Sequence, residues 1–403
     1  MSLSLMRILA VSAVCAVILA GCGPAEEPPV TVDPPPVEEP TPDPPPRPVE
    51  RPPVGIQVKV GAVLPLTGQG SEYAEQARKG IALAAEETRT EGTVVPEIVW
   101  ADNQGLPEET TAAVDGLIDS DQVHAVIGAI STENSITAGD RAQADGIPMV
   151  APGVSAMGLT RGRDYVFRAG FTDTFQGAAA ADFVYDTLGH RRAAVLVSTT
   201  DADSMPLGDA FSQAFRRRGG QIVSQMAFSA DTDDFSGQLT QLRLIAPDVI
   251  FMPAGYEQAA RCVWQARDSG LRSAFMGTAG WDSPKLFTLS EGAVEGSHFT
   301  THFSAEEDRA VVNRFVQSYS AMYDESPGAI AALSYDAAML IFDAAKRAGA
   351  TDSTALRDAL ATTSDFEGVT GTLSMDENRN PVKPLVVMKA QEGSATLVET
   401  ISP

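Results

Sequence analysis

From Ile56 onward, short runs of β-branched and other apolar residues alternate with stretches whose apolar positions recur every three or four residues. The short runs read as strands and the longer period as amphipathic helices. "IQVKVGAVLPL" (56–66) predicts a strand leading to a helix near 71–88, whose Ala74, Ala77, Ile81, Ala84 and Ala85 share one face. The strand "EIVWADN", a helix through Ala113, Leu117 and Ile118, the strand "HAVIGAI", a helix near 133–144 and the strand "IPMVAPG" complete one βα unit. A second begins after Gly170, with a helix over about 173–188 and the strand "RRAAVLVST". A helix ending at "RRRGG", the strand "QIVSQMAFS", a helix near 235–245, the strand "DVIFMPAG", the helix "YEQAARCVWQARDSG" and the strand "SAFMGTAG" follow. The expected class is therefore α/β, with the same doubly wound parallel-sheet architecture occurring twice. After "EGSHFTTHFS" come three consecutive helices and a hairpin-like "GTLSMDENRNPVKPLVVMKA". Helices at that position return to cover an earlier sheet, so the chain is expected to cross between its halves more than twice.

The first residues have a different pattern. Arg7 precedes an apolar run over 8–20, shorter than the about 20 residues of a membrane span and suited to a signal peptide over 1–21. The tetrad Leu19-Ala20-Gly21-Cys22 resembles the lipobox of bacterial lipoproteins, which implies that Cys22 is lipidated and becomes the first residue of the mature chain. Several acyl chains on one residue make a stable membrane anchor. Residues 22–54 are dense in proline and otherwise acidic or small, too poor in apolar groups to form a core. Polyproline II geometry at about 3.1 Å per residue makes them a stiff tether with a reach of roughly 90 Å.

Composition narrows the function classes. The chain has 29 Lys and Arg against 53 Asp and Glu, a formal charge of -24, which argues against nucleic acid as a partner and against electrostatic adhesion to anionic membrane. With Cys15 in the leader and Cys22 lipidated, Cys262 has no partner for a disulfide and no cysteine metal cluster is possible. The part from Ile56 to Pro403 is large enough for two lobes of ordinary domain size.

In open parallel sheets ligands sit beyond the carboxyl ends of strands, where the next helix starts. "PLTGQGSEY", "GAIST" and "APGVS" all occupy that position in the first unit. Ser131 or Thr132 has an ordinary use as the cap of the following helix. The same hydroxyls, with the free amides of a first helical turn, also form a receptor for an anionic group.

Four segments, "VGAVLPLTGQGSEYAEQARKGIALA", "HAVIGAISTENSITAGDRAQADGIPMVAPGVSAMGLT", "YVFRAGFTDTFQGAAAADFV" and "FMGTAGWDSPKL…EGSHFTTHFS", resemble in order and spacing the branched-chain amino-acid-type solute-binding lipoproteins of ATP-binding-cassette importers. The resemblance implies the type I periplasmic-binding-protein fold, with two lobes joined by three hinge crossings and closing on a small ligand. The crossings are expected near residues 171–174, 300–303 and 378–383. Lobe 1 would comprise 56–171 plus 303–379, and lobe 2 would comprise 172–302 plus 380–403. It implies further that Ser131 and Thr132 take the ligand's α-carboxylate, that Gly153 offers a carbonyl to the ammonium and Ser155 a hydroxyl to the carboxylate, and that Tyr73 packs on the ligand. The second lobe departs from the family's pattern. Met205 stands nearest a position often aromatic, Tyr256 falls close to another, and Ala279 replaces the usual ammonium-binding acid, leaving Asp282 as the nearest carboxylate. A buried ammonium without such a partner would be costly.

The implied function is extracytoplasmic capture of an amino acid or related small carboxylate and its delivery to a membrane permease. The protein would be a lipid-anchored monomer on a bacterial membrane, periplasmic or at the cell surface, needing no cofactor. Two other classes compete. An enzyme would need a nucleophile or metal motif. No G-x-S-x-G is present, His298 and His302 in "HFTTH" lack the helical metal-binding context, and "DENRNP" has Pro381 where a calcium loop needs glycine. A ligand-sensing module of the same fold would be expected to continue into a membrane span or output domain, unless it signals to a separate membrane partner. Trp281, beside Asp282, is equally readable as packing or as a cleft residue.

Overall fold

A computed structural model describes residues 55–229 and 231–403. The expected leader, the lipidated Cys22 and the tether lie outside the described residues.

The first sheet is built from β1 (Ile56–Leu64), β2 (Val94–Asp102), β3 (Ala125–Gly128), β4 (Met149–Ala151) and β5 (Val166–Arg168), in the order β2-β1-β3-β4-β5 and all parallel. Between them run α1 (Ser71–Glu91), α2 (Pro107–Asp115) and α3 (Thr132–Asp145). The period of two along β1 sends Val58, Val60, Ala62 and Leu64 to one core and Val63 to the other, so both faces are covered.

The second half repeats the plan with α4 (Asp173–Asp182), β6 (Arg192–Ser198), α5 (Ser204–Arg217), β7 (Gln221–Phe228), α6 (Ser236–Ile245), β8 (Val249–Phe251), α7 (Tyr256–Asp268), β9 (Ala274–Gly277), α8 (Pro284–Leu289) and β10 (His298–Thr301). The chain then continues through α9 (Ala310–Tyr323), α10 (Ala329–Ala348), α11 (Ser353–Ala361), β11 (Phe366–Gly368), β12 (Gly371–Met375), β13 (Pro381–Val382), β14 (Leu385–Gln391) and β15 (Ser394–Ile401). The second sheet has the order β15-β14-β10-β9-β8-β6-β7. Its parallel part follows the same winding as the first sheet, and β14 and β15 extend it antiparallel. No described helix is long and apolar enough to cross a membrane.

The expected returning helices belong to the first half. Val312, Phe315 and Tyr319 of α9 and most of α10 join the core that also holds β1 and α1. Gly80 of α1 permits the close approach of α10, since a Cβ there would fall 2.1 Å from the Ala331 carbonyl oxygen. The helices expected through Ile118 and to Leu188 do extend that far, but their last turns, Gly116–Ser120 and Phe183–Thr187, are π-helical. The strands β5, β11 and β15 and the short α8 were not anticipated. Three-residue strands and a six-residue helix carry too few positions for a period to register, and β15 is a largely polar edge strand.

The chain passes between the sheets three times. It leaves β5 at Arg168 and enters α4 at Asp173, leaves β10 at Thr301 and returns to α9 at Ala310, and leaves β13 at Val382 to enter β14 at Leu385. Side chains knit these passages together. His302 of the second stacks on Phe171 of the first, with ring centroids 3.6 Å apart. Lys383 of the third is 1 % exposed and donates to the Ala169 carbonyl at 3.3 Å and to the Thr370 hydroxyl. Asp336 of α10 accepts from the amides of Val369 and Thr370 at 2.8 and 2.9 Å and from the same hydroxyl. Burial draws the Lys383 ammonium down to about 8, opposed by the nearby Asp336 charge.

Removing one partner of such a buried pair strands the other, at a typical cost of about 3–5 kcal/mol. Lys383→Met should therefore lower the unfolding free energy extrapolated from denaturant titration by an amount in that range. A loss under about 1 kcal/mol would show that Asp336 is neutralised by its hydrogen bonds alone.

Candidate functional site

The two sheets turn the carboxyl ends of their parallel strands toward a shared cleft of about 770 Å³. In each sheet the winding reverses beside the first strand, between β1 and β3 and between β6 and β8, which is where open α/β sheets bind ligands. The first sheet sends Tyr73 of α1, Ile130 after β3 and Gly153 and Ser155 after β4 to the cleft; the second sends Asp201, Asp203 and Leu207, residues 253–255, and Thr278, Ala279, Gly280 and Asp282.

The two "STENS" hydroxyls are used differently, and neither is among the residues that line the cleft. Ser131 is exposed and caps α3, its oxygen accepting from the Asn134 amide at 3.4 Å. Thr132 instead donates to Asp203 Oδ2, on the second half, at 2.8 Å. Thr132 also stands at the amino end of a fourteen-residue helix, where partial positive charge favours an anion.

In the second half two expected residues, Met205 and Tyr256, are not among those that line the cleft. Met205 does not line the cleft: it lies in the first turn of α5 and is 54 % exposed. The same loop delivers Asp201 and Asp203, followed by Leu207 one turn into the helix. The neighbouring Ser204 is fixed by short bonds to the β6 and β8 ends, accepting from the Ser198 amide at 2.8 Å and donating to the Pro253 carbonyl at 2.5 Å, so Met205 emerges on the outer side. Tyr256 is buried and donates its hydroxyl to Glu72 Oε1 at 3.1 Å. Lys285 donates to the other oxygen of the same carboxylate and lowers its pKa. Glu72, adjacent to Tyr73, thus ties α1 of the first half to α7 and α8 of the second.

Asp282 lies on the cleft wall beside Ala279 and accepts from the Thr301 hydroxyl at 2.6 Å. Its surface is open to the cleft while protein crowds its other sides, and that loss of bulk water raises its pKa. Trp281 is packing: it is 0 % exposed, its indole donates to the Met252 carbonyl at 3.0 Å, and it lies flat over Gly277. His298 packs on Phe183 and His302 on Phe171, and "DENRNP" forms a hairpin turn in which Asp376 accepts from the amides of Asn378 and Asn380.

The residue that pattern reading missed is Asp173, the first of α4. It is 2 % exposed, and neither carboxylate oxygen has a hydrogen bond of good geometry. Burial raises its pKa to about 7; the Ser155 hydroxyl and Arg168 pull it down, and the charges of Asp203 and Asp201 push it up. Asp203 is raised as well, by burial first. The only sequence signal was an acid following a helix-capping threonine in "FTDTF", which is indistinguishable from an ordinary first-turn acid.

The comparisons with known proteins bear on this arrangement. The family model described as periplasmic binding protein matches residues 57–395. The chain belongs to that family. A leucine-binding protein, LivK, from Thermotoga maritima is similar at 34% identity and a TM-score of 0.79, over 86% of this chain and 99% of that one. The branched-chain amino acid transporter substrate binding protein LivJ from Streptococcus pneumoniae, solved with isoleucine, is 29% identical with a TM-score of 0.78, covering 86% and 100%. The Leu/Ile/Val-binding protein homolog 3 of Brucella melitensis is 26% identical over 332 residues, 81% of this chain and 89% of its own length. As a member of this family the chain is an extracytoplasmic solute-binding protein of the two-lobed type I fold serving ATP-binding-cassette importers.

An unfolded aspartate titrates near ~3.9, below the folded value of about 7 for Asp173. The native state therefore holds the extra proton between those values, and this group's contribution is full below about pH 4 and lost as pH rises through 7. Relative to the wild type, Asp173→Asn should gain thermal stability steadily between about pH 5 and pH 8. Parallel melting profiles for the two proteins would exclude the raised pKa.

Proposed function

We propose that the protein captures an amino acid or related small carboxylate in the cleft and delivers it to the membrane permease of an ATP-binding-cassette importer. The observation that carries this reading is the Thr132 hydroxyl at the amino end of α3, bonded to Asp203 of the cleft wall in the second half. One relative named above is a leucine-binding protein and another was solved with isoleucine, which supports an amino acid as the ligand class. Thr132 and the free amides of the first turn of α3 would take the ligand carboxylate, with Ser155 as a further donor and the Gly153 carbonyl facing the ammonium. Tyr73 would pack on the ligand, and Asp282 would stand in for the acid absent at Ala279.

The two bodies that move would be 56–171 plus 303–379 and 172–302 plus 380–403, rotating about the three passages. A ligand that touches both bodies only when they are closed stabilises the closed state by its differential affinity. Glu72, with Tyr256 and Lys285, would add a contact made only on closure. The role is delivery and not catalysis, by a monomer held to a bacterial membrane through lipidated Cys22 and the proline-rich tether.

Thermal unfolding of the purified protein against a panel of amino acids, amides and carboxylates tests the reading. A ligand at 100 times its dissociation constant adds about 2.7 kcal/mol and moves the midpoint by a few degrees. No shift with any amino acid would sink the amino-acid assignment. The double variant Ser131→Ala with Thr132→Ala should weaken binding of the responding ligand roughly tenfold or more while still folding without it, at a cost of about 1 kcal/mol for the lost α3 cap. Cys22→Ala should move the protein from the membrane fraction to the soluble one on cell fractionation, and a membrane-bound variant would refute the lipid anchor.

A further inference from the structure

The loop after β6 puts charge near the position that is often aromatic in the family and where Met205 was expected to face the ligand. Asp201 and Asp203 line the cleft from the second half, and Asp203 Oδ1 is buried with no hydrogen-bond partner while Oδ2 accepts from Thr132. Asp173 lies behind Ser155, nearly inaccessible, with both oxygens unpartnered. The cation nearest to these three acids is Arg168, whose Nη1 and Nη2 are already given to the carbonyls of Val154 and Ala156 at 3.0 and 2.7 Å. Elsewhere along the described cleft wall, Lys285 is engaged by Glu72, and burial keeps the His302 imidazole neutral. Arg168 acts on Asp173 and Asp203 from outside the cleft lining, and its charge is not opposed to Asp201.

A buried carboxylate oxygen without a donor is costly, and a ligand that supplies the donor gains what the protein lacks. The net charge of the ligand decides how much it gains. A zwitterion brings an ammonium together with another carboxylate and leaves the excess of negative charge as it was. A net cation lowers it, and in a water-poor cleft the difference is amplified.

We propose that Asp203, with Asp201 beside it and Asp173 behind, receives a positively charged nitrogen, so that the cleft selects a small organic cation over an uncharged analogue of the same length. The class is a basic amino acid or the corresponding amine without a carboxylate. The proposal rests on capture in this cleft as read above, and adds the sign of charge on the part of the ligand facing the second half. With a basic amino acid, the carboxylate takes the Thr132 hydroxyl and the α3 amides, and the cation takes the carboxylate that Thr132 releases.

Titration calorimetry on the full chain with lysine, norleucine, leucine and 1,5-diaminopentane tests this, because lysine and norleucine share a carbon chain and differ in the terminal charge. Lysine should bind at least roughly tenfold more tightly than norleucine, the scale of a charge-assisted hydrogen bond. Asp203→Asn should erase that preference, read as the ratio of lysine to norleucine affinity in the variant against the same ratio in the wild type. Asp201→Asn, at an exposed site, should reduce it and provides a check if Asp203→Asn does not fold. Norleucine or leucine binding as well as lysine would overturn the cation receptor while leaving amino-acid capture standing. Binding of the diamine alone would keep the receptor and overturn the amino-acid reading. Heat from none of the four would overturn both.

Discussion

Parallel strands impose the constraint on which this protein is built. Each must be followed by a crossover that returns the chain to the same end of the sheet, so all the loops that start helices collect along one edge. Here that happens twice with the same winding, β2-β1-β3-β4-β5 and β7-β6-β8-β9-β10, and the two edges face one cleft. The acids of the second half that line the cleft are held at strand ends and helix starts for this reason. Thr132 begins α3, Asp203 precedes α5, and Asp282 follows a helical turn that Trp281 anchors to the β8 end.

Two sheets that share a chain in three passages need those passages to be well packed, because any looseness there blurs the geometry of the cleft. The passages solve this with unlike chemistry in a small space. A neutral imidazole stacks on a phenyl ring, and a buried ammonium is shared between a backbone carbonyl and a threonine that in turn reaches a buried carboxylate. Lys383 joins the first passage to the third through Ala169. Such polar links are directional, whereas apolar packing alone would tolerate sliding.

The cleft itself is held in tension between its two sides. The first half offers donors: a helix start, hydroxyls at Thr132 and Ser155, and backbone amides. The second half answers with carboxylates, one of which already accepts the Thr132 hydroxyl of the first half. Like charges gathered around Asp173 raise the cost of the protein's own ionised state, and that cost is a source of affinity for any ligand that relieves it. Glu72 adds a separate tie at the Tyr256 and Lys285 side, one residue from Tyr73.

By itself the sequence determined the α/β class, the doubling of the unit, the order of nearly every long element and the loops that carry the site. Those follow from local periodicity and from the rule that parallel sheets bind at their carboxyl edges, and neither needs distant contacts. Ser131 as a cap and Thr132 as a donor were both legible in "STENS". What the tertiary structure alone decided concerns residues whose role depends on what faces them. Met205 turns outward because Ser204 is pinned to two strand ends, and Asp203 takes the cleft position in its place. Trp281 is core because Met252 supplies a carbonyl 29 positions away. Asp173 looks in sequence like any first-turn acid. It becomes part of a charged cluster only when the first passage buries it beside Ser155 and folding brings Asp201 and Asp203 near, since electrostatic environment is a property of distance in space and not along the chain.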